Sequence, residues 1–213
     1  MFRNRTEAGY LLAGELLKYK GEPLVVMAIP RGGLPLGAVV AETLNAPLDV
    51  ALTKKIGHPF NREYAIGAVS RNQIVLSKPE GISQEFVDSE TLRLRKKLEE
   101  RHRMFHRKKN PVPLKGKQVV IIDDGIATGN TLRVTIALIA AESPEKIIVA
   151  IPVAPPGAVE RIKAMEEVDE VICLETPRNF RAVGQFYEDF APVTDEEALA
   201  IFEREPLRED PIR

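Results

Sequence analysis

Val119-Val120-Ile121-Ile122-Asp123-Asp124-Gly125-Ile126-Ala127-Thr128-Gly129-Asn130-Thr131 is the stretch on which the fold turns. Val119 to Ile122 is a continuous β-branched run, the mark of a strand buried on both faces of a parallel sheet. Such a strand delivers Asp123 and Asp124 to its carboxyl end, where ligands bind in an open α/β sheet. A loop of small residues and hydroxyls, Gly125 to Thr131, then leads into a helix. Gly125 and Gly129 allow a tight turn and a close approach of backbone to ligand. The first N–H groups of that helix, with the Thr128 and Thr131 hydroxyls, suit a phosphate. The paired carboxylates would repel a phosphate, so they are expected to face sugar hydroxyls and a Mg2+ ion. An isolated Asp-Gly pair would do no more than cap a helix; the whole string points to chemistry. No Gly-Lys-Ser/Thr follows the glycines, which excludes a P-loop. The acids precede the glycines, which excludes a dinucleotide fingerprint.

On either side, apolar runs alternate with helical patterns, as in a parallel sheet covered by helices. Asn4, with Glu7 three residues on, opens a first helix as in a capping box. Leu24 to Ile29 reads as a buried strand that ends in Pro30-Arg31-Gly32-Gly33, and a helix follows to about Leu44. The Arg31 guanidinium and the glycine N–H groups at a strand's carboxyl end can hold an anion. Leu48 to Thr53 is expected to be a second strand, ending at Lys54-Lys55. Gly67–Ser70 and Gln73–Leu76 form a short hairpin, and a long helix runs from about Ser83 to Lys109. After the acid pair, the pattern predicts a helix over 129–141, a strand over 147–153, a helix over 156–165 and a strand over 170–174. An irregular, aromatic tail spans 176–190, and Thr194, with Glu197 three residues later, opens a capped helix.

The 213 residues hold 30 Lys+Arg against 31 Asp+Glu, so net charge gives no global reason to bind nucleic acid or an anionic membrane. Hydrophobic residues are 44% and charged residues 29%, the composition of a globular chain. Cys173 is the single cysteine, so no internal disulfide and no cysteine cluster for zinc can form. The start, Met1 to Arg5, lacks the apolar core of a signal peptide. No run approaches the roughly 18 apolar residues that cross a bilayer. A cytoplasmic protein without a membrane partner is expected. The basic face at 93–109 holds nine Lys/Arg and two Glu, commonly the composition of a solvated helix face. Val87, Leu94, Leu98 and Phe105 share its apolar side, expected to pack on a cap or on a second subunit.

The string at 119–131 resembles the phosphoribosyl-diphosphate motif of the type I phosphoribosyltransferases: apolar strand, two acids, small loop, Thr-Gly-x-Thr. The strand order over roughly residues 20–175 fits the core of that family. The resemblance implies an open, mostly parallel α/β sheet flanked by helices, with a small hood subdomain. It implies one domain over 1–213, a helical insertion at about 79–113, and a hood from about 1–20 and 176–213. Asp123 and Asp124 would contact the ribose hydroxyls, directly or through Mg2+, while Gly125, Ile126, Ala127, Thr128, Gly129, Asn130 and Thr131 wrap the 5-phosphate. Arg31, Gly32 and Gly33 would form the diphosphate loop, which in relatives carries a cis peptide, here at Pro30–Arg31. Lys54 to Arg71 would be a mobile loop, with Lys54 or Lys55 on the diphosphate and Glu63 as the candidate acid or base. Phe180, in the hood, is the candidate to stack on a base. The expected activity is transfer of 5-phosphoribosyl from phosphoribosyl diphosphate to a nitrogenous acceptor, with Mg2+, in a homodimer. Ala127 stands where 6-oxopurine enzymes carry an aspartate, and Glu63-Tyr64 echoes a pair in the adenine enzymes; no subfamily fits throughout, and the acceptor stays open. The alternative is a phosphoribosyl-diphosphate-sensing regulator that binds nucleic acid through the basic helix at 93–109. Near-zero net charge and the lack of a helix-turn-helix weigh against it.

Overall fold

A computed structural model describes residues 1–76 and 81–204, apart from the side chains of Arg62 and Glu63. The outer limits expected for the insertion, at 79, and for the hood, at 213, lie outside the described residues. In chain order the elements are α1 (Arg5–Leu16), β1 (Leu24–Ala28), α2 (Gly33–Leu44), β2 (Leu48–Val50), β3 (Lys54–His58), β4 (Asn61–Val69) and β5 (Ile74–Leu76). There follow α3 (Gln84–Phe105), β6 (Gln118–Ile122), α4 (Asn130–Ala140), β7 (Lys146–Val153), α5 (Pro156–Lys163), β8 (Glu170–Glu175) and α6 (Asp195–Arg204). The aromatic tail holds a 3-10 turn at Val183–Phe186.

The main sheet has five strands in the order β2-β1-β6-β7-β8, and every pair in it is parallel. This is the α/β architecture expected from the sequence. The pleat explains why β6 is apolar throughout. Val120 and Ile122 face one core, shared with Leu12 and Leu16 of α1 and Leu36 and Val40 of α2. Val119 and Ile121 face the other, shared with Leu132 and Ile136 of α4 and Ile162 of α5. From β1 the chain winds outward through α2 to β2; from β6 it winds the other way through α4 to β7. The strand order reverses between β1 and β6, which is where an open sheet leaves a crevice at its carboxyl ends.

The expected hairpin of 67–70 with 73–76 is present, and most of the preceding residues 54–66, expected as part of a mobile loop, instead extend it into a second, antiparallel sheet in the order β3-β4-β5. Gly57 and Pro59 exclude a helix but not a strand pair, and the ladder absorbs them with register shifts at Ile56–His58. Ile56, Ile66 and Val69 bury their side chains against Val87, Leu94 and Leu98 of α3, so most of the apolar side of that helix packs within the chain. Phe105 joins the main core instead, edge-on to Phe202. The expected strand at 48–53 stops at Val50, and the Leu52 N–H turns back onto the Val50 carbonyl at 3.1 Å. Likewise α3 ends at Phe105 rather than Lys109, as His106 leaves helical geometry and meets buried Asp49 at 2.8 Å.

Both predicted N-caps exist. Thr194 and Glu197 cap α6 reciprocally, at 3.1 and 2.8 Å. Asn4 accepts the Glu7 N–H at 3.0 Å, but Glu7 reaches past Asn4 to the Arg3 N–H.

Candidate active site

Asp123 and Asp124 follow directly from β6 at the reversal point. Asp123 accepts the Asp124 N–H at 2.9 Å. Burial, and then the neighbouring Asp124 charge, push the Asp123 carboxyl well above the usual carboxylate range. Burial also raises Asp124, against the pull of Arg5. Two acids held this close, short of water, favour a ligand that brings hydroxyls or a cation to them.

The loop after β1 lies against the pair. The Pro30–Arg31 peptide is cis, as the family resemblance implied. A Cβ on Gly32 would fall 2.1 Å from Asp124 Oδ2, and one on Gly33 would fall 2.6 Å from the Ile122 carbonyl. Only glycine lets the two loops meet here. Arg31 approaches Asp195 at 3.7 Å. Arg101 of α3 joins the same Asp195 oxygen at 2.9 Å.

Along the second loop, Gly125 is buried with φ +144°, and the Ile126 N–H bonds the Val153 carbonyl at 3.1 Å. Ala127, Thr128, Asn130 and Thr131 are exposed. Gly129, at φ +75°, starts α4 without a side-chain cap. The Thr128 hydroxyl lies 3.5 Å from the Asn130 N–H, and its carbonyl accepts from Arg161 at 3.3 Å. A helix entered by a small, exposed, hydroxyl-bearing loop can seat a phosphate.

The other expected site residues stand in different surroundings. Lys54 is exposed at the start of β3. Lys55 lines a cavity of about 190 Å³ with Phe86, Glu90 and Arg93. Glu63 belongs to β4, and its side chain lies outside the described residues. Phe180 is half-buried and stacked on Phe186, with ring centroids 5.3 Å apart.

Sequence reasoning missed Arg5 and Tyr187. Arg5 Nε donates to Asp124 Oδ2 at 2.9 Å, and its guanidinium lies 3.9 Å from the centre of the Phe190 ring. The Tyr187 hydroxyl donates to the Asp124 carbonyl at 2.7 Å. One signal was available for Arg5: it is the first residue of α1, where the helix dipole disfavours a cation. A cation there needs an acid from elsewhere in the chain.

The donor set suits Mg2+. Asp123 and Asp124 offer hard oxygen ligands. Among the described residues no group of three or more His, Cys, Asp and Glu could hold a metal alone. Mg2+ commonly takes one or two carboxylates and completes its shell with water and substrate oxygens.

Residues 6–190 match the family model of the phosphoribosyl transferase domain. Two Mycobacterium tuberculosis proteins, provisionally named phosphoribosyl transferases, are each 37% identical over 209 residues, 96% of this chain. The chain spans 47% of the length of these curated relatives. The crystal structure of TT1426 from Thermus thermophilus superposes with a TM-score of 0.88 at 40% identity, over 95% of this chain and 97% of that one. A Neisseria gonorrhoeae protein shares the fold with a TM-score of 0.50 at 15% identity, over 93% and 91% of the two chains.

Proposed function

The chain belongs to the phosphoribosyl transferase family, and on that footing we propose that it moves 5-phosphoribosyl from phosphoribosyl diphosphate to a nitrogenous base or other nitrogen nucleophile, releasing pyrophosphate. The observation that carries this reading is the meeting of Asp123–Asp124 with the Gly32–Gly33 backbone at the strand reversal, beside a loop fit for phosphate. In the transfer, the bond from ribose C1 to the diphosphate oxygen breaks, a C1–N bond forms, and the nucleophile gives up a proton. Asp123 and Asp124 orient the sugar through its 2- and 3-hydroxyls. Gly125 to Thr131 anchor the 5-phosphate, so that C1 is held in place for attack. Arg31, the N–H groups of Gly32 and Gly33, and Lys54 or Lys55 stabilise charge gathering on the leaving diphosphate. Glu63 is the candidate for moving the acceptor's proton, and Phe180 for stacking on its ring. Asp123 and Asp124 would hold Mg2+ through ribose hydroxyls or water, and the ion would supply further charge neutralisation on the diphosphate. The β3–β4 hairpin takes the place of the mobile loop and would exclude water from a cationic sugar centre.

Segment 1–20 and the described part of 176–213, as far as Arg204, form the hood in this reading. A homodimer in the cytoplasm completes it. The exposed Tyr10, Leu11 and Leu17 at α1 offer a second copy an apolar surface, a lone cysteine suits a reducing compartment, and no helix of the described residues is long and apolar enough to cross a membrane.

The test is release of pyrophosphate from Mg2+–phosphoribosyl diphosphate across a panel of purines, pyrimidines and simple amines. At least one acceptor should be consumed in step with the pyrophosphate released. Failure of every acceptor, together with no binding of phosphoribosyl diphosphate, would overturn the reading.

A further inference from the structure

Asp124 is gripped by segments far from it in sequence. Its Oδ2 receives Arg5 Nε at 2.9 Å and lies over Gly32, where a Cβ would come within 2.1 Å. Its carbonyl receives the Tyr187 hydroxyl at 2.7 Å. Arg5 is itself fixed: one terminal nitrogen donates to the Ala191 carbonyl at 2.8 Å, and the guanidinium carbon lies over the Phe190 ring. The ion pair is largely buried, with side-chain exposures of 11% and 15%. A buried, charge-assisted contact of this kind fixes orientation far better than an exposed one. Oδ2 is thereby committed to the protein, and Oδ1 is the oxygen left for a ligand.

We propose that Arg5 is a positioning residue for sugar recognition: it locks the Asp124 carboxylate so that Oδ1 is presented to a ribose hydroxyl. The proposal rests on the phosphoribosyl reading above. It gives α1 a role in selecting a ribose over a deoxyribose. A site built to hydrogen-bond a hydroxyl rejects the analogue that lacks it, provided its own polar groups are held still. Without Arg5 the carboxylate can rotate, and that discrimination should fade while the 5-phosphate anchor at 125–131 persists.

The experiment compares calorimetric affinities for ribose 5-phosphate and 2-deoxyribose 5-phosphate, each with Mg2+, in the wild type, Arg5→Met and Arg5→Lys. Met keeps an unbranched apolar stem without the guanidinium that lies over Phe190; Lys keeps one donor for Oδ2. The wild type should favour the ribose compound by about tenfold, the worth of one charge-assisted hydrogen bond. Arg5→Met should bring the ratio close to unity by weakening the ribose compound alone, and Arg5→Lys should restore part of it. A merely structural role would weaken both compounds equally and leave the ratio intact, which would overturn the proposal. In an Asp124→Asn background, Arg5→Lys should leave the ratio where it stands; a further change would show that Arg5 does not act through Asp124. This arm needs no folded Arg5→Met. A wild type that binds both sugars alike would remove the ribose reading itself, and the Arg5 role with it.

Discussion

Asp123 is a residue whose energetics depart well away from its ordinary chemistry. Its carboxyl is raised above 3.8, chiefly by burial and then by Asp124. A raised group binds its proton more tightly in the folded state. The stability it contributes is full below the unfolded value and is lost as pH rises through the folded value. Asp123→Asn should therefore be more stable than the wild type at pH 8, with the difference closing as pH falls toward 4. Thermal melting of both proteins across that range checks it, and parallel curves would count against a desolvated carboxylate beside a second acid. Gly33 makes a purely steric prediction. Its missing Cβ would sit 2.6 Å from a backbone carbonyl that cannot swing away. Gly33→Ala should cost about 1–3 kcal/mol in urea denaturation, whereas Gly14→Ala, with open space around it, should not destabilise. Residues 119–131 were legible because strand, acids, loop and helix start lie in one run. Arg5 and Asp124 are 119 positions apart, and no local pattern links them.

At the scale of the element, α3 and the basic turn after it decide between enzyme and nucleic-acid regulator. Many of their cations already have partners within the chain. Arg93 pairs with Glu90, Arg103 with Glu99, Arg101 with Asp195, and Arg107 and Lys108 share Glu203. Carboxylates interleaved with the basic residues lower the field that a phosphate backbone would meet. Duplex DNA should bind only weakly by fluorescence anisotropy, with no binding left at about 0.15 M salt. Adding phosphoribosyl diphosphate should change nothing, whereas tight binding that responds to it would favour the regulator. The buried side of α3 makes a packing prediction. Leu98 is 2% exposed between the helix and the small sheet. Leu98→Ala should destabilise by about 2–5 kcal/mol, read by denaturant titration. The β3–β4 pair was not legible because its residues do not alternate cleanly between apolar and polar. Gly57 and Pro59 also resemble loop punctuation, and the partner that buries Ile56 and Ile66 comes from a helix later in the chain.

Across the whole molecule, the first residues and the aromatic tail are tied together beside the acid pair. The Phe2 N–H bonds the Phe186 carbonyl at 2.8 Å, and the Phe2 carbonyl accepts from Glu188 at 2.8 Å. The Phe2 ring is 3% exposed and meets Tyr187, which holds Asp124. Phe2→Ala should cost about 3–5 kcal/mol and weaken ligand binding through Tyr187, measurable by melting and by calorimetry. The five parallel strands were legible from the alternation of strands and helices, while this closure depends on contacts between opposite ends of the chain. The central claim is that the crevice at the β1–β6 reversal holds the sugar and phosphate of phosphoribosyl diphosphate. Calorimetric titration of Mg2+–phosphoribosyl diphosphate into the wild type and into the Asp123→Asn/Asp124→Asn variant tests it most directly. The wild type should bind, and the folded double variant should bind at least about a hundredfold more weakly, as loss of two charge-assisted contacts requires. Equal affinity in the two proteins would contradict the account.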